Sequence, residues 1–143
     1  MQQIPSVDLR DFLSDDPARK QKFVNEIGKA YEEIGFVALK GHFLDDELVG
    51  ELYGEIRNFF SLPLETKYSY EIPGIGGQRG YVSFGKEHAK GRKEGDLKEF
   101  WHFGQYVDKD SKYAAEYPDN VEVKELPRFN VVGKEAYQML EKT

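Results

Sequence analysis

The 143 residues suit one domain, and a 39% hydrophobic content with ten Phe, nine Tyr and one Trp supplies a core and argues against disorder. A net charge of -6 without a basic stripe excludes a nucleic-acid partner, and no apolar run approaches the ~20 residues of a membrane span. The chain has no cysteine, which removes disulfides, thiolate zinc sites and thiol nucleophiles; with no signal-peptide pattern at the start, these features predict a cytoplasmic protein.

In chain order, Ile4-Pro5-Ser6-Val7-Asp8-Leu9 reads as a short strand, with Pro5 at a position where its missing N–H does no harm. Asp16 caps a predicted helix and Pro17 takes its first position. Phe23, Ile27, Ala30, Tyr31 and Ile34 form its apolar stripe, and Gly35 stops it. Phe36-Val37-Ala38-Leu39 is a strand-length run ended by Gly41 and His42. A second helix follows Asp45, with Leu48, Val49, Leu52, Tyr53, Ile56, Phe59 and Phe60 on its apolar face, and Pro63 opens a short turn of helix through Lys67.

Gly74, Gly76, Gly77 and Gly80 make residues 71–80 a loop. Residues 97–107 carry aromatics on alternating positions, which predicts a strand buried on both faces. Residues 108–130 are polar and turn-rich. A last helix is predicted from Gly133, with Ala136, Tyr137, Met139 and Leu140 as apolar contacts; it has no cap or stop before Thr143, so the chain is expected to be a truncated portion of a longer protein.

Chemistry-bearing motifs are sparse. The basic stretch from Lys86 to Lys93 is interrupted by Glu87 and His88 and reads as a solvated loop. The glycine loop lacks the order of a nucleotide-binding fingerprint. His42, His88 and His102 have no paired spacing, and none begins a His-x-Asp. They read as a turn residue, a charged-loop residue and an aromatic-strand residue, with no catalytic or metal-ligating role assigned. Asp96, Lys98 and Glu99 read as strand-end contacts and a surface ion pair of little energetic weight. Phe100, Trp101 and Phe103 read as core packing.

Four segments, in order, resemble the N-terminal region of the isopenicillin N synthase-like non-haem dioxygenases. They are the opening strand at 4–9; Tyr31-Glu32-Glu33-Ile34-Gly35-Phe36 running on to Gly41-His42; Phe59-Phe60-Ser61-Leu62-Pro63-Leu64-Glu65-Thr66-Lys67; and Arg79-Gly80-Tyr81 leading through Gly85 to Asp96-Leu97-Lys98-Glu99. The stretch from Asn120 to Phe129 is similar to a further family pattern, with Val123 where proline is common.

The resemblance implies an α+β fold: an N-terminal helical layer plus a few strands of an incomplete double-stranded β-helix, or jelly roll. Residues 1–107 would form the non-haem dioxygenase N-terminal domain, and 108–143 a polar connector and the start of a helix leading to the catalytic barrel. The intact family enzyme uses Fe(II) and 2-oxoglutarate to oxidise a C–H bond of a small-molecule substrate. Its iron triad, His-x-Asp with a distant His, and its Arg-x-Ser grip on 2-oxoglutarate have no counterpart in this sequence. The chain is therefore expected to be inactive alone. Arg79 and Tyr81 match a family pair that holds a substrate carboxylate in the intact enzyme. A non-catalytic interaction module is the competing expectation, with self-association through an exposed sheet edge; a small enzyme of another class lacks any supporting motif.

Overall fold

A computed structural model describes residues 3–86 and 95–143, and in it helices alternate with strands of three residues. The chain divides into two units, one reaching to Asp45 together with Met139–Thr143, the other Asp46–Gln138.

In the first unit, strand β1 (Ser6–Asp8) pairs in parallel with β2 (Ala38–Lys40), Val7 facing Leu39 in register. Parallel strands need a crossover connection. Here it is helix α1 (Leu9–Leu13) followed by α2 (Pro17–Glu33). Asp8 and Asp16 cap these helices, accepting from Arg10 N at 3.0 Å and Ala18 N at 2.8 Å. Gly35 ends α2 as expected: it takes φ +81°, and its N–H bonds Ala30 O at 3.1 Å.

Val7, Leu9 and Phe23 are buried, with Ile27, Val37, Leu39 and Phe43 packed on them. The predicted stripe is correct for Phe23 and Ala30, but Tyr31 is 58% exposed. One residue on from Ala30 is a rotation of about 100°, which carries the ring off the buried face. Phe36, expected to start β2, is 68% exposed and lies before it.

In the second unit, α3 (Asp46–Phe60) is followed by α4 (Leu64–Tyr68), opened by Pro63. Strand β3 (Gly80–Val82) then pairs antiparallel with β4 (Phe100–His102), Tyr81 opposite Trp101. Helix α5 (Pro127–Lys142) begins in this unit. The core is Phe59, Tyr70, Tyr81, Val123 and Phe129. Phe59 stacks on Phe129 at 5.3 Å and meets the Trp101 edge at 4.7 Å.

Two sequence expectations need correction. The strand predicted over 97–107 is only Phe100–His102, and its residues are half-buried. The ladder stops because Gly104 takes its partner from a side chain: Asn120 accepts from Gly104 N and donates to Gly104 O, both at 2.8 Å. The last helix starts six residues before the predicted Gly133, at Pro127. Proline suits a first helical position, and Asn130 within the first turns bonds back to Val123 N (2.7 Å) and Val123 O (3.0 Å), tying the helix start to the connector. Among the described residues no helix is long and apolar enough to cross a membrane.

Candidate functional site

The glycine loop shapes a cleft of the second unit. Gly74, Gly76, Gly77 and Gly80 all adopt positive φ. At Gly80 the requirement is steric as well, since a Cβ would lie 2.6 Å from Tyr70 O. This close approach lets Tyr81 N–H bond Tyr70 O at 3.1 Å and turns the Tyr81 side chain inward. The resulting cleft, about 400 Å³, is bounded by the loop and by Glu71, Tyr81, Val82, Lys86 and Phe100.

Behind the cleft wall lies a polar cluster. The Tyr81 hydroxyl donates to Glu99 Oε2 at 2.6 Å, and Lys67 Nζ donates to both Glu99 oxygens at 3.0 and 2.8 Å. Lys67 also reaches Phe60 O at 3.3 Å, so its three N–H groups all have acceptors. Burial pushes the Glu99 carboxyl up, but the bonds from Lys67 and Tyr81 outweigh it and hold the group below its ordinary range. Burial and the Glu99 charge push the Tyr81 phenol well above its ordinary value, so the proton stays on Tyr81. The cluster fixes the Tyr81 ring in the core beside Phe59, its hydroxyl spent on Glu99.

The sequence alone makes Glu99 a strand-end or surface contact. That is corrected: the surface pair is Lys98–Asp96 at 3.1 Å, whereas Glu99 points inward to Lys67, which is only 6% exposed. In the sequence Lys67 stands out only as the end of a motif. A Lys followed 32 residues later by a Glu carries no local signal of pairing.

Arg79 and Tyr81, expected to act together, have different surroundings. Tyr81 lines the cleft; Arg79 does not. The Arg79 guanidinium packs on Gly104, where a Cβ would lie 1.8 Å from Cζ, and Nη1 donates to Gln78 O at 2.7 Å. Nearby, Glu71 accepts from Ser83 N and Ser83 Oγ at 3.0 and 2.8 Å, fastening the near side of the cleft.

Of the histidines, His42 is exposed, and His102 Nδ1 donates to Gly77 O at 2.5 Å, which ties β4 to the glycine loop. His88 lies outside the described residues, as does most of the basic stretch that contains it. Among the described residues no three His, Cys, Asp or Glu side chains converge on a possible metal position. An iron site therefore does not fit the side chains described here.

The chain matches the family model described as "non-haem dioxygenase in morphine synthesis N-terminal" over residues 4–125. A 2-oxoglutarate-dependent dioxygenase of Dothideomycetidae sp. (strain 11243) is 39% identical over 85 residues, 59% of this chain and 25% of its own length. A 1-aminocyclopropane-1-carboxylate oxidase of Dictyostelium discoideum is 32% identical over 112 residues, 77% of this chain and 29% of its own length. The chain thus spans between a quarter and a third of these curated relatives.

A crystal structure described as a 2OG-Fe(II) oxygenase family protein from Caulobacter crescentus superposes with a TM-score of 0.81 at 34% identity, over 99% of this chain and 45% of the other. A full-length Neurospora crassa protein, solved in complex with alpha-KG, shares the fold at a TM-score of 0.73 and 22% identity, over 97% of this chain and 39% of its own. The two small sheets and their helices correspond to part of a 2OG oxygenase fold. With the family pattern running from residue 4 to residue 125, the chain belongs to the N-terminal family of the non-haem dioxygenases, among oxygenases related to the 2-oxoglutarate-dependent enzymes.

Proposed function

We propose that this chain is the N-terminal portion of a 2-oxoglutarate- and Fe(II)-dependent oxygenase that oxidises a C–H bond of a small-molecule metabolite, and that by itself it does not turn over 2-oxoglutarate. The observation that carries the reading is the superposition of nearly the whole chain on less than half of the Caulobacter crescentus oxygenase. The sequence adds to it, since none of the three histidines begins a His-x-Asp and no Arg-x-Ser occurs. In the complete enzyme, iron and 2-oxoglutarate would supply the oxidising chemistry from residues outside this chain. This portion would contribute the cleft bounded by the glycine loop, Glu71, Val82 and Phe100 as part of the substrate's surroundings.

The test is succinate formation. Purified chain supplied with Fe(II), ascorbate and 2-oxoglutarate is expected to give no succinate above a metal-free control. The same chain fused to the portion of the Caulobacter crescentus oxygenase that it does not cover is expected to give it. Succinate from the unfused chain would overturn the proposal.

One observation favours a second reading, that of an interaction module. Leu97 is 94% exposed and Phe84 56%, on either side of the Gly85 N–H to Asp96 O bond at 3.0 Å. Exposed apolar groups beside an open strand pair are a template for association. Gel filtration separates the readings: a concentration-dependent dimer that disappears in Leu97→Lys supports a module, and a monomer at all concentrations does not.

A further inference from the structure

A guanidinium keeps its charge throughout the range in which proteins stay folded, so a buried one needs an anion or a full set of acceptors. Arg79 is only 8% exposed. Nη1 donates to the Gln78 carbonyl, but Nε is buried with no acceptor among the described residues. Nη2 makes no hydrogen bond to the described residues either. Among the described residues no carboxylate pairs with Arg79, although the chain carries 26 acidic residues. Nε and Nη2 form one edge of the guanidinium, the edge that grips a carboxylate through two parallel bonds.

The surroundings hold this edge in position without satisfying it. A Cβ on Gly104 would lie 1.8 Å from Cζ and about equally close to Nε and Nη2, at 2.1 and 2.2 Å, so the guanidinium lies face-on over a glycine. Asn120 fixes that glycine with two bonds of 2.8 Å to its N–H and C=O. Residues distant in sequence therefore keep a cation rigid, buried and lacking its anion.

We propose that the Nε/Nη2 edge of Arg79 is a socket for a carboxylate, filled in the complete oxygenase by an acidic side chain of the polypeptide outside this chain. Arg79 then fastens two portions of one enzyme together. The inference rests on the reading of the chain as an N-terminal portion. A protein side chain is favoured over a substrate carboxylate because Arg79 is not among the residues lining the cleft, whereas Tyr81 is.

The test compares the 143-residue chain with its Arg79→Met and Arg79→Lys variants. Replacing a buried, unmatched cation by an apolar side chain of similar length is expected to leave the melting temperature unchanged or raise it by about 3 °C. A fall of that size or more would show that Arg79 is satisfied within the chain, and would overturn the socket. The second measurement is thermal unfolding of the chain fused to the portion of the Caulobacter crescentus oxygenase that it does not cover. In the fusion, Arg79→Met and Arg79→Lys are both expected to lower the melting temperature by about 3 °C or more, the lysine because it keeps the charge but loses the fork. Equal melting temperatures for all three fusions sink the socket and leave the N-terminal reading intact. A fusion that gives no succinate counts against that reading itself. Acetate, titrated against chloride at equal ionic strength, is the small-carboxylate arm. It is expected to leave the melting temperature unmoved; a rise in the unaltered chain that is absent in Arg79→Met would assign the socket to a small molecule and overturn the side-chain assignment.

Discussion

Glu99 carries more than its position suggests. It accepts from Lys67 and Tyr81 at once, in a place where Lys67 has almost no access to water. Removing the charge while keeping the shape isolates its contribution. Glu99→Gln leaves the ammonium of Lys67 buried without a counter-charge, a change that costs about 2–4 kcal/mol. Lys67→Met with Glu99→Gln removes both charges together and is expected to recover a good part of that loss, because an apolar pair needs no desolvation. Chemical denaturation of the two single variants and the double variant checks this; additive losses would mean the pair is not coupled. No local pattern marks Glu99 in the sequence, because its partner is 32 residues away. By contrast the Asp16 cap is legible there: its acceptor serves an N–H two residues on. The separate surroundings of Arg79 and Tyr81 are not legible in the Arg-Gly-Tyr motif, since those of Arg79 depend on Gly104 and Asn120, which no local pattern joins to it.

Helices show the same division between local and distant causes. Starts and stops of α2 follow from Asp16, Pro17 and Gly35, all visible in the sequence. Local composition sets the start of α5 too late because residues 120–130 read as turn. There the deciding bonds run from the Asn130 side chain back to Val123, and they matter more than composition. Alternating aromatics likewise overstate the extent of β4, since they satisfy a strand pattern even where the backbone pairs with the Asn120 side chain. Glycines inside helices put the contrast to a test. Gly28 in α2 has nothing within 4 Å of a built Cβ, so Gly28→Ala is expected to stabilise by about 0.5–1 kcal/mol through helix propensity alone. Gly133 in α5 has the same intrinsic preference, but its Cβ would lie 2.2 Å from the Phe103 ring, itself packed on Trp101 and Phe129. Gly133→Ala is therefore expected to destabilise, by about 1–3 kcal/mol. Thermal melts of the two variants should move in opposite directions; a rise in both would mean propensity outweighs packing at Gly133, and a fall in both that helix propensity does not govern Gly28.

Titration acts on the molecule as a whole, and unevenly. Arg10 beside Asp8 holds that carboxyl down at about 2, in the unit that reaches to Asp45. The other depressed carboxyls belong to Asp46–Gln138: Glu71, where bonds from Ser83 overcome burial, Glu99, and Glu125, which accepts from the Tyr70 hydroxyl. The raised phenols, Tyr70, Tyr81 and Tyr106, are in the same unit, each pushed up first by burial. A depressed carboxyl adds stability above its ordinary value, near 4.5 for Glu, and that contribution is lost as pH falls through the lower folded value. A raised phenol adds stability below its ordinary value of 10.0, lost as pH climbs toward the higher folded value. The melting temperature should therefore be level from about pH 5 to about pH 9.5 and decline on both sides. The decline should be visible to Trp101, the single tryptophan, because it packs against Phe59 and Tyr70 in the unit that holds most of these groups. Trp101 emission followed through thermal melts at each pH measures it. Glu99→Gln should flatten the acid side, since a group without a carboxyl has nothing to lose there. A Trp101 transition that stays constant down to about pH 3, or one that rises on acidification, would show that these carboxyls do not hold the second unit together.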